Sequence, residues 1–149
     1  MLSLPVEQRE QITPAGCLSA CVQMVLGYLG IETGQGELNR LLGLTAAGIP
    51  ASHLVRLEAQ FGVHVGLMHG TAESLKQALV GQTPPIVFVR TAELAHWTVD
   101  TQHAVVVVGY DYDSFLVNDP AFAEPYTVPT LEFMLAWDEF DNRYALITR

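Results

Sequence analysis

The feature that most constrains the fold is residues 17–29, a stretch in which only Ser19 and Gln23 are polar. Its length and composition predict a helix that is apolar nearly all round, and such a helix is buried inside a protein. Pro14 and Gly16 precede it and predict an abrupt start, while Gly30 ends it. The remainder of the chain must therefore supply layers that cover this helix.

Composition supports one compact domain over residues 1–149. Half of the residues are hydrophobic and 15% are charged, which is typical of a globular protein. The formal net charge of −9 argues against nucleic acid and anionic membranes as partners. No apolar run approaches the ~20 residues of a membrane span, and the first ten residues lack the pattern of a signal peptide.

Two cysteines, Cys17 and Cys21, lie four positions apart on the predicted helix. Cysteines at this spacing seldom meet disulfide geometry without distortion. We therefore expect two reduced thiols, which suits the cytoplasm.

The first half of the chain reads mainly as helices. Residues 35–43 and 50–61 show helical spacing of apolar side chains, and Val63 to Met68 reads as a strand. Thr71 is suited to cap a further helix, with Ser74 at its third position.

The second half reads mainly as strands. Residues 86–89 and 104–110 are short, valine-rich and apolar, as buried strands are. The turn at 111–114 predicts a hairpin between 104–110 and 115–118. The remaining elements are a late helix, Thr130 to Asp138, and a last strand, Tyr144 to Thr148.

Helices followed by strands predict an α+β fold with an antiparallel sheet. We expect helix 17–29 to pack against strands 86–89, 103–110 and 114–118.

Cys17 is the candidate nucleophile. A thiol attacks as the thiolate, and the unpaired N–H groups and partial positive charge of a helix N-terminus stabilise that form. Cys21 lies one turn inside the helix, where a small apolar side chain packs. The alternative is that Cys17 is also a buried structural cysteine.

His103 opens the buried strand and is placed to act as a general base for Cys17. The alternative is a structural histidine hydrogen-bonded at a strand end. The other four histidines have no comparable context, and we interpret them as surface or cap residues: His53, His64, His69 and His96.

Asp119 follows the second strand of the predicted hairpin. Because the outer ends of antiparallel strands meet, this places Asp119 beside His103, where a carboxylate orients the imidazole. Asn118 is a rival for that role, and Asn118-Asp119-Pro120 is also an ordinary turn sequence.

Gln11 completes the set, since its side-chain amide and the Cys17 N–H are candidate donors to an oxyanion. Gln8 is a nearby competitor. Zinc binding by the two cysteines and His103 is a weaker alternative, because the chain has neither C-x-x-C nor H-E-x-x-H. We predict no metal and no cofactor.

Two blocks of sequence together resemble a family. The first is a glutamine, five residues, a cysteine, a second cysteine four later, and then Met, Tyr and Gly. The second is a histidine opening a valine-rich strand, with Asp-Pro sixteen residues on. In this chain the matching residues are Gln11, Cys17, Cys21, Met24, Tyr28, Gly30, His103, Asp119 and Pro120.

These blocks are similar to papain-like cysteine peptidases that remove double-glycine leader peptides from bacteriocin precursors, in their free-standing form. The resemblance implies a papain-like fold, Cys17 as nucleophile, His103 as base, and Asp119 and Gln11 as orienting residue and oxyanion donor. The family usually has an acidic residue before the nucleophile and glycine after it, where this chain has Gly16 and Leu18.

The leading hypothesis is a thiol hydrolase that cleaves a peptide or protein substrate through a Cys-His-Asp triad and an acyl-enzyme. One alternative is acyl transfer or deamidation through the same intermediate. Another is a catalytically silent module that binds peptides.

Overall fold

The computed structural model describes residues 1–149 and has an α+β architecture, as predicted. The helices are α1 (Cys17–Tyr28), α2 (Gln35–Leu42), α3 (Arg56–Phe61), α4 (Ala72–Val80) and α5 (Thr130–Asp138). The strands are β1 (Leu2–Ser3), β2 (His64–His69), β3 (Ile86–Arg90), β4 (Gln102–Tyr110), β5 (Ser114–Asn118), β6 (Tyr126–Pro129) and β7 (Arg143–Thr148). No helix is both long and apolar enough to cross a bilayer.

All seven strands form one antiparallel sheet in the order β2-β7-β3-β4-β5-β6, and β1 pairs with β4. Helix α1 lies against one face, where Val22, Val25 and Leu26 join a core cluster with Val106 and other residues of β4. The predicted burial of this helix is therefore confirmed. It ends where Gly30 adopts a positive φ of 84°, which glycine reaches without strain.

A second core cluster lies on the opposite face of the sheet. Its largest members are Phe133 and Trp137 of α5 and Phe115 of β5. Because side chains alternate along a strand, Val105 and Val107 of β4 join this cluster, while their neighbours face α1. Strand β4 is consequently covered on both faces, which explains its run of valines.

The β4–β5 hairpin was predicted and is confirmed, with Val106 opposite Asn118 and Val107 opposite Val117. The carboxylate of Asp111 closes the turn by accepting hydrogen bonds from the backbone N–H and hydroxyl of Ser114. The pairing brings the start of β4 and the end of β5 to the same edge of the sheet.

The region predicted as one helix over 50–61 is divided. Residues Ala51–Val55 form a 3-10 turn, and α3 follows it. The tighter turn coincides with two contacts to the end of α2: His53 Nδ1 bonds Leu42 O at 2.8 Å, and Arg56 donates to Leu41 O. Tertiary contact thus overrides the helical pattern.

Candidate active site

Cys17 is the first residue of α1, so its backbone N–H has no partner within the helix. Its side chain is half-buried, whereas Cys21 is fully buried, and both are free thiols, as predicted. Burial, together with the charges of Cys17 and Asp119, raises the pKa of Cys21 well above its usual range. Of the two cysteines, Cys17 is therefore the one placed for chemistry.

The turn into α1 also accounts for Gly16. A Cβ atom at this position would collide with Thr13 Oγ1 and approach Thr13 O at 3.4 Å. The backbone N–H of Gly16 donates to the same Thr13 carbonyl at 3.1 Å. A larger residue at position 16 would therefore require the Thr13 side chain to move.

His103 lies at the leading edge of β4 and is buried. Its Nε2 lies 2.6 Å from Asp119 Oδ1, which leaves the other ring nitrogen for Cys17. Burial lowers the pKa of His103, but interactions with Asp119 and then Cys17 outweigh it and raise the pKa to about 9. The imidazolium is consequently the stable form of His103 at neutral pH.

Asp119 has no solvent exposure, and both of its carboxylate oxygens are occupied. Oδ1 also accepts from the Ala121 N–H at 3.0 Å. Oδ2 lies 2.9 Å from His96 Nε2 and accepts from Trp97 Nε1 at 2.8 Å. Burial raises the pKa of Asp119, yet the hydrogen bonds from His103, His96 and Trp97 prevail and hold it well below its usual range.

The interpretation of His96 as a surface or cap residue is wrong. Its side chain is 8% exposed and contacts the carboxylate of Asp119 directly. Trp97 was not identified from the sequence either, and its ring packs edge-on against His103 with centroids 4.8 Å apart. Both residues lie in an irregular segment before β4, where no periodicity could have marked them.

Asn118, the rival for the orienting role, points elsewhere. Its Nδ2 donates to Val6 O at 3.1 Å and lies 3.8 Å from Met24 Sδ. The side chain bonded to His103 is therefore Asp119.

Gln11 and Gln8 occupy different places. Gln11 lines the same cavity as Cys17, and its Nε2 donates to Thr13 O and Pro14 O, both at 2.9 Å. Gln8 Nε2 instead donates to Asp119 O and to Phe122 O, both at 2.8 Å. Gln8 thus fastens the N-terminal segment to the loop after β5, and Gln11 is the glutamine that shares a cavity with Cys17.

Gln35 is a further residue that the sequence did not reveal. It is buried at the start of α2, where Nε2 donates to Glu10 O and to Gln23 Oε1. Its Oε1 accepts from the Ile12 N–H at 3.0 Å. These bonds hold the backbone on both sides of Gln11.

Cys17, His103 and Gln11 open into one cavity of about 780 Å³. Aromatic side chains line part of it, and residues 43–51 supply small ones. The chain has a net charge of −9, yet no Asp or Glu lines this cavity, whereas Arg143 does. No group of three or more His, Cys, Asp or Glu side chains is arranged to hold a metal ion.

A thiol at a helix N-terminus, facing a buried imidazole and carboxylate on an antiparallel sheet, defines a thiol hydrolase of papain-like fold. The sequence model of the Peptidase C39 family matches residues 6–146. The chain therefore belongs to the Peptidase C39 family and is a cysteine peptidase, which acts on peptide bonds.

Solved structures show the same fold. A C39-like peptidase from Bacillus anthracis has a TM-score of 0.80 at 16% identity, over 99% of this chain and 97% of that one. A double glycine motif protease from an AMS/PCAT transporter, in complex with its leader peptide, has a TM-score of 0.78 at 19% identity, over 98% and 93%. The peptidase domain of Streptococcus ComA has a TM-score of 0.76 at 18% identity, over 96% and 98%. No curated protein matches the sequence.

Proposed function

We propose that this protein cleaves double-glycine leader peptides, with Cys17, His103 and Asp119 as its catalytic triad. The single observation that carries the proposal is the 2.6 Å contact between His103 Nε2 and the buried Asp119 carboxylate, beside a half-buried Cys17 in a shared cavity. We further propose one domain over residues 1–149, placed in the cytoplasm, where two free thiols persist.

The reaction begins with a thiolate on Cys17 and an imidazolium on His103. The sulfur attacks the scissile carbonyl carbon, and the carbonyl π electrons move onto its oxygen. As the C–N bond breaks, His103 gives its proton to the leaving amine and a thioester remains. Water then attacks the thioester while His103 accepts a proton, and the C–S bond breaks to release the carboxylic acid product.

The oxyanion needs two donors. The N–H of Cys17 is free of helical hydrogen bonds and supplies the first. Gln11 supplies the second by exchanging one of its bonds to Thr13 O or Pro14 O for a bond to the oxyanion. The bonds from Gln35 to the flanking backbone keep Gln11 in place during that exchange.

Three observations favour a leader peptide as substrate. The chain belongs to a peptidase family, and one solved structure of similar fold is a complex with a leader peptide. A cavity without acidic side chains, with Arg143 at its lining, suits a peptide that carries apolar and acidic residues.

The test uses synthetic precursor peptides with Gly-Gly at the leader junction, with the products identified by mass spectrometry. We expect Cys17→Ala to abolish cleavage. The matched control is Cys21→Ala, which removes the buried thiol one turn away and is expected to retain cleavage. Cleavage by Cys17→Ala at the wild-type rate would overturn the triad. Failure of the wild-type protein to cut any Gly-Gly peptide while it cuts others would overturn the substrate class.

Alkylation gives a second readout that needs no substrate. We expect iodoacetamide to label Cys17, which is half-buried and lines the cavity that it shares with His103. Cys21 stays unlabelled because it is buried and its pKa is raised. Labelling of Cys21 in preference to Cys17 would contradict the proposed nucleophile.

A further inference from the structure

The carboxylate of Asp119 binds two imidazoles, and the proposed triad uses only one of them. His103 Nε2 contacts Oδ1 at 2.6 Å, and His96 Nε2 contacts Oδ2 at 2.9 Å. The exposed fraction of the His96 side chain is 8% and that of Asp119 is zero. A second, buried histidine is thus placed directly behind the triad.

The ring of His96 is fixed by aromatic neighbours. It stacks on Tyr126 with centroids 4.2 Å apart and an interplanar angle of 15°. Phe122 meets it edge-on at 5.2 Å. Packing on a face and an edge leaves Nε2 aimed at Asp119 and prevents the ring from turning away.

The contacts around the carboxylate show what His96 contributes. An ionised carboxylate has about four hydrogen-bonding sites, and Asp119 fills four with His103, Ala121, His96 and Trp97. The two hydrogen bonds to Oδ2, from His96 and Trp97, determine the rotation of the carboxylate about its Cβ–Cγ bond. That rotation in turn sets the direction of Oδ1. Without His96, Trp97 alone holds Oδ2.

We propose that His96 is a positioning residue of the peptidase: it donates Nε2–H to Asp119 Oδ2 and thereby fixes the carboxylate that orients His103. This inference rests on the proposed triad. The titratable groups around His96 are the Asp119 carboxylate, the Tyr126 phenol, and His103 on the far side of that carboxylate. Glu132, which accepts from the Ala95 N–H, anchors the segment before it.

Two substitutions separate the donor from the ring. His96→Phe keeps a ring on Tyr126 and removes the N–H, whereas His96→Gln removes the ring and keeps an amide Nε2 the same number of bonds from Cα. We expect His96→Phe to lower kcat about tenfold with KM little changed, and to lower the pKa of His103 in an NMR titration. His96→Gln should recover most of the kcat and the wild-type titration of His103.

The melting temperature of each variant distinguishes positioning from folding. Equal losses of kcat in both variants, in proportion to their losses of melting temperature, would overturn the proposal and leave His96 a packing residue. An unchanged kcat and an unchanged His103 titration in His96→Phe would also overturn it.

A measurement on the wild-type protein covers the case in which His96→Phe does not fold. NMR of ¹⁵N-labelled imidazoles should find the His96 proton on Nε2, and a proton on Nδ1 alone would refute the donor role. Neither alkylation nor NMR uses a peptide substrate. A failure of the substrate proposal therefore leaves this test intact, and loss of wild-type Cys17 reactivity identifies failure of the triad itself.

Discussion

Replacing Asp119 with asparagine perturbs the site while preserving the shape of the side chain. Oδ1 of Asp119 faces His103 Nε2 and the Ala121 N–H. Oδ2 faces His96 Nε2 and the Trp97 N–H. An amide has one accepting oxygen and one donating NH₂ group, so in either orientation it places a donor against the N–H of Ala121 or of Trp97.

The magnitude follows from the pKa of His103. Its rise from 6.5 to about 9 corresponds to about 3 kcal/mol in favour of the imidazolium, at about 1.4 kcal/mol for each factor of ten. Asp119 is the first of the two groups that raise this pKa, and Cys17 and burial remain when its charge is removed, so the pKa of His103 should fall below about 9. A loss of up to about 3 kcal/mol from the stability of the imidazolium lowers kcat/KM by up to roughly a hundredfold at pH 7.

Stability should fall as well. A buried N–H left facing another donor costs roughly 1–3 kcal/mol. We therefore expect Asp119→Asn to lose about 2 kcal/mol in the free energy of unfolding, measured by urea denaturation.

The direct assay is an NMR titration of the His103 ring in the wild-type protein and in Asp119→Asn, together with kcat/KM on a leader peptide. The matched control is Asp111→Asn at the other end of the same hairpin, where the carboxylate accepts three hydrogen bonds within a turn. The control should alter stability and leave His103 unchanged. A His103 pKa that stays near 9 in Asp119→Asn would refute the reasoning.

Three further predictions concern stability. Gly109→Ala places a Cβ 2.5 Å from Leu2 O, so it should displace β1 and lower the melting temperature, and circular dichroism should show the sheet otherwise intact. Thr71→Ala removes the capping box of α4 and should cost about 1 kcal/mol in urea denaturation. The pKa of His103 is about 9 in the folded protein and 6.5 as its ordinary value, so the protonated ring stabilises the folded state. This contribution is complete below about pH 6.5 and is lost as pH rises through about 9. The free energy of unfolding should therefore fall across that range, and a free energy that does not change with pH would contradict the shift.

Local sequence carried enough information for the elements whose partners are near in the chain. Helix α5 has the predicted bounds Thr130–Asp138, because its stop and its apolar pattern are both local. The hairpin of β4 and β5 follows from one turn between two apolar strands, and this pairing predicts that Asp119 lies beside His103.

The strands and side-chain contacts that the sequence did not predict depend on partners far away in the chain. Strand β1 has two residues and exists because Gly109 lets the backbone of Leu2 approach β4. Strand β6 lies among prolines and was not recognised. The pairing of β7 between β2 and β3 joins segments far apart in the chain, which no periodicity reveals. His96 and Gln35 could not be identified from the sequence for the same reason. The partner of His96 is the distant Asp119 carboxylate, and Gln35 accepts from the distant Ile12 N–H.

The two core clusters on opposite faces of the sheet each hold one side of the candidate active site. Cys17 packs with the cluster on the α1 side, and Trp97, the neighbour of His103, packs with the cluster on the α5 side. The cavity shared by Cys17 and His103 therefore depends on the packing of both layers against the sheet. We expect a copy in which either layer is unpacked to lack the proposed arrangement of Cys17 and His103, and so to be inactive as a peptidase.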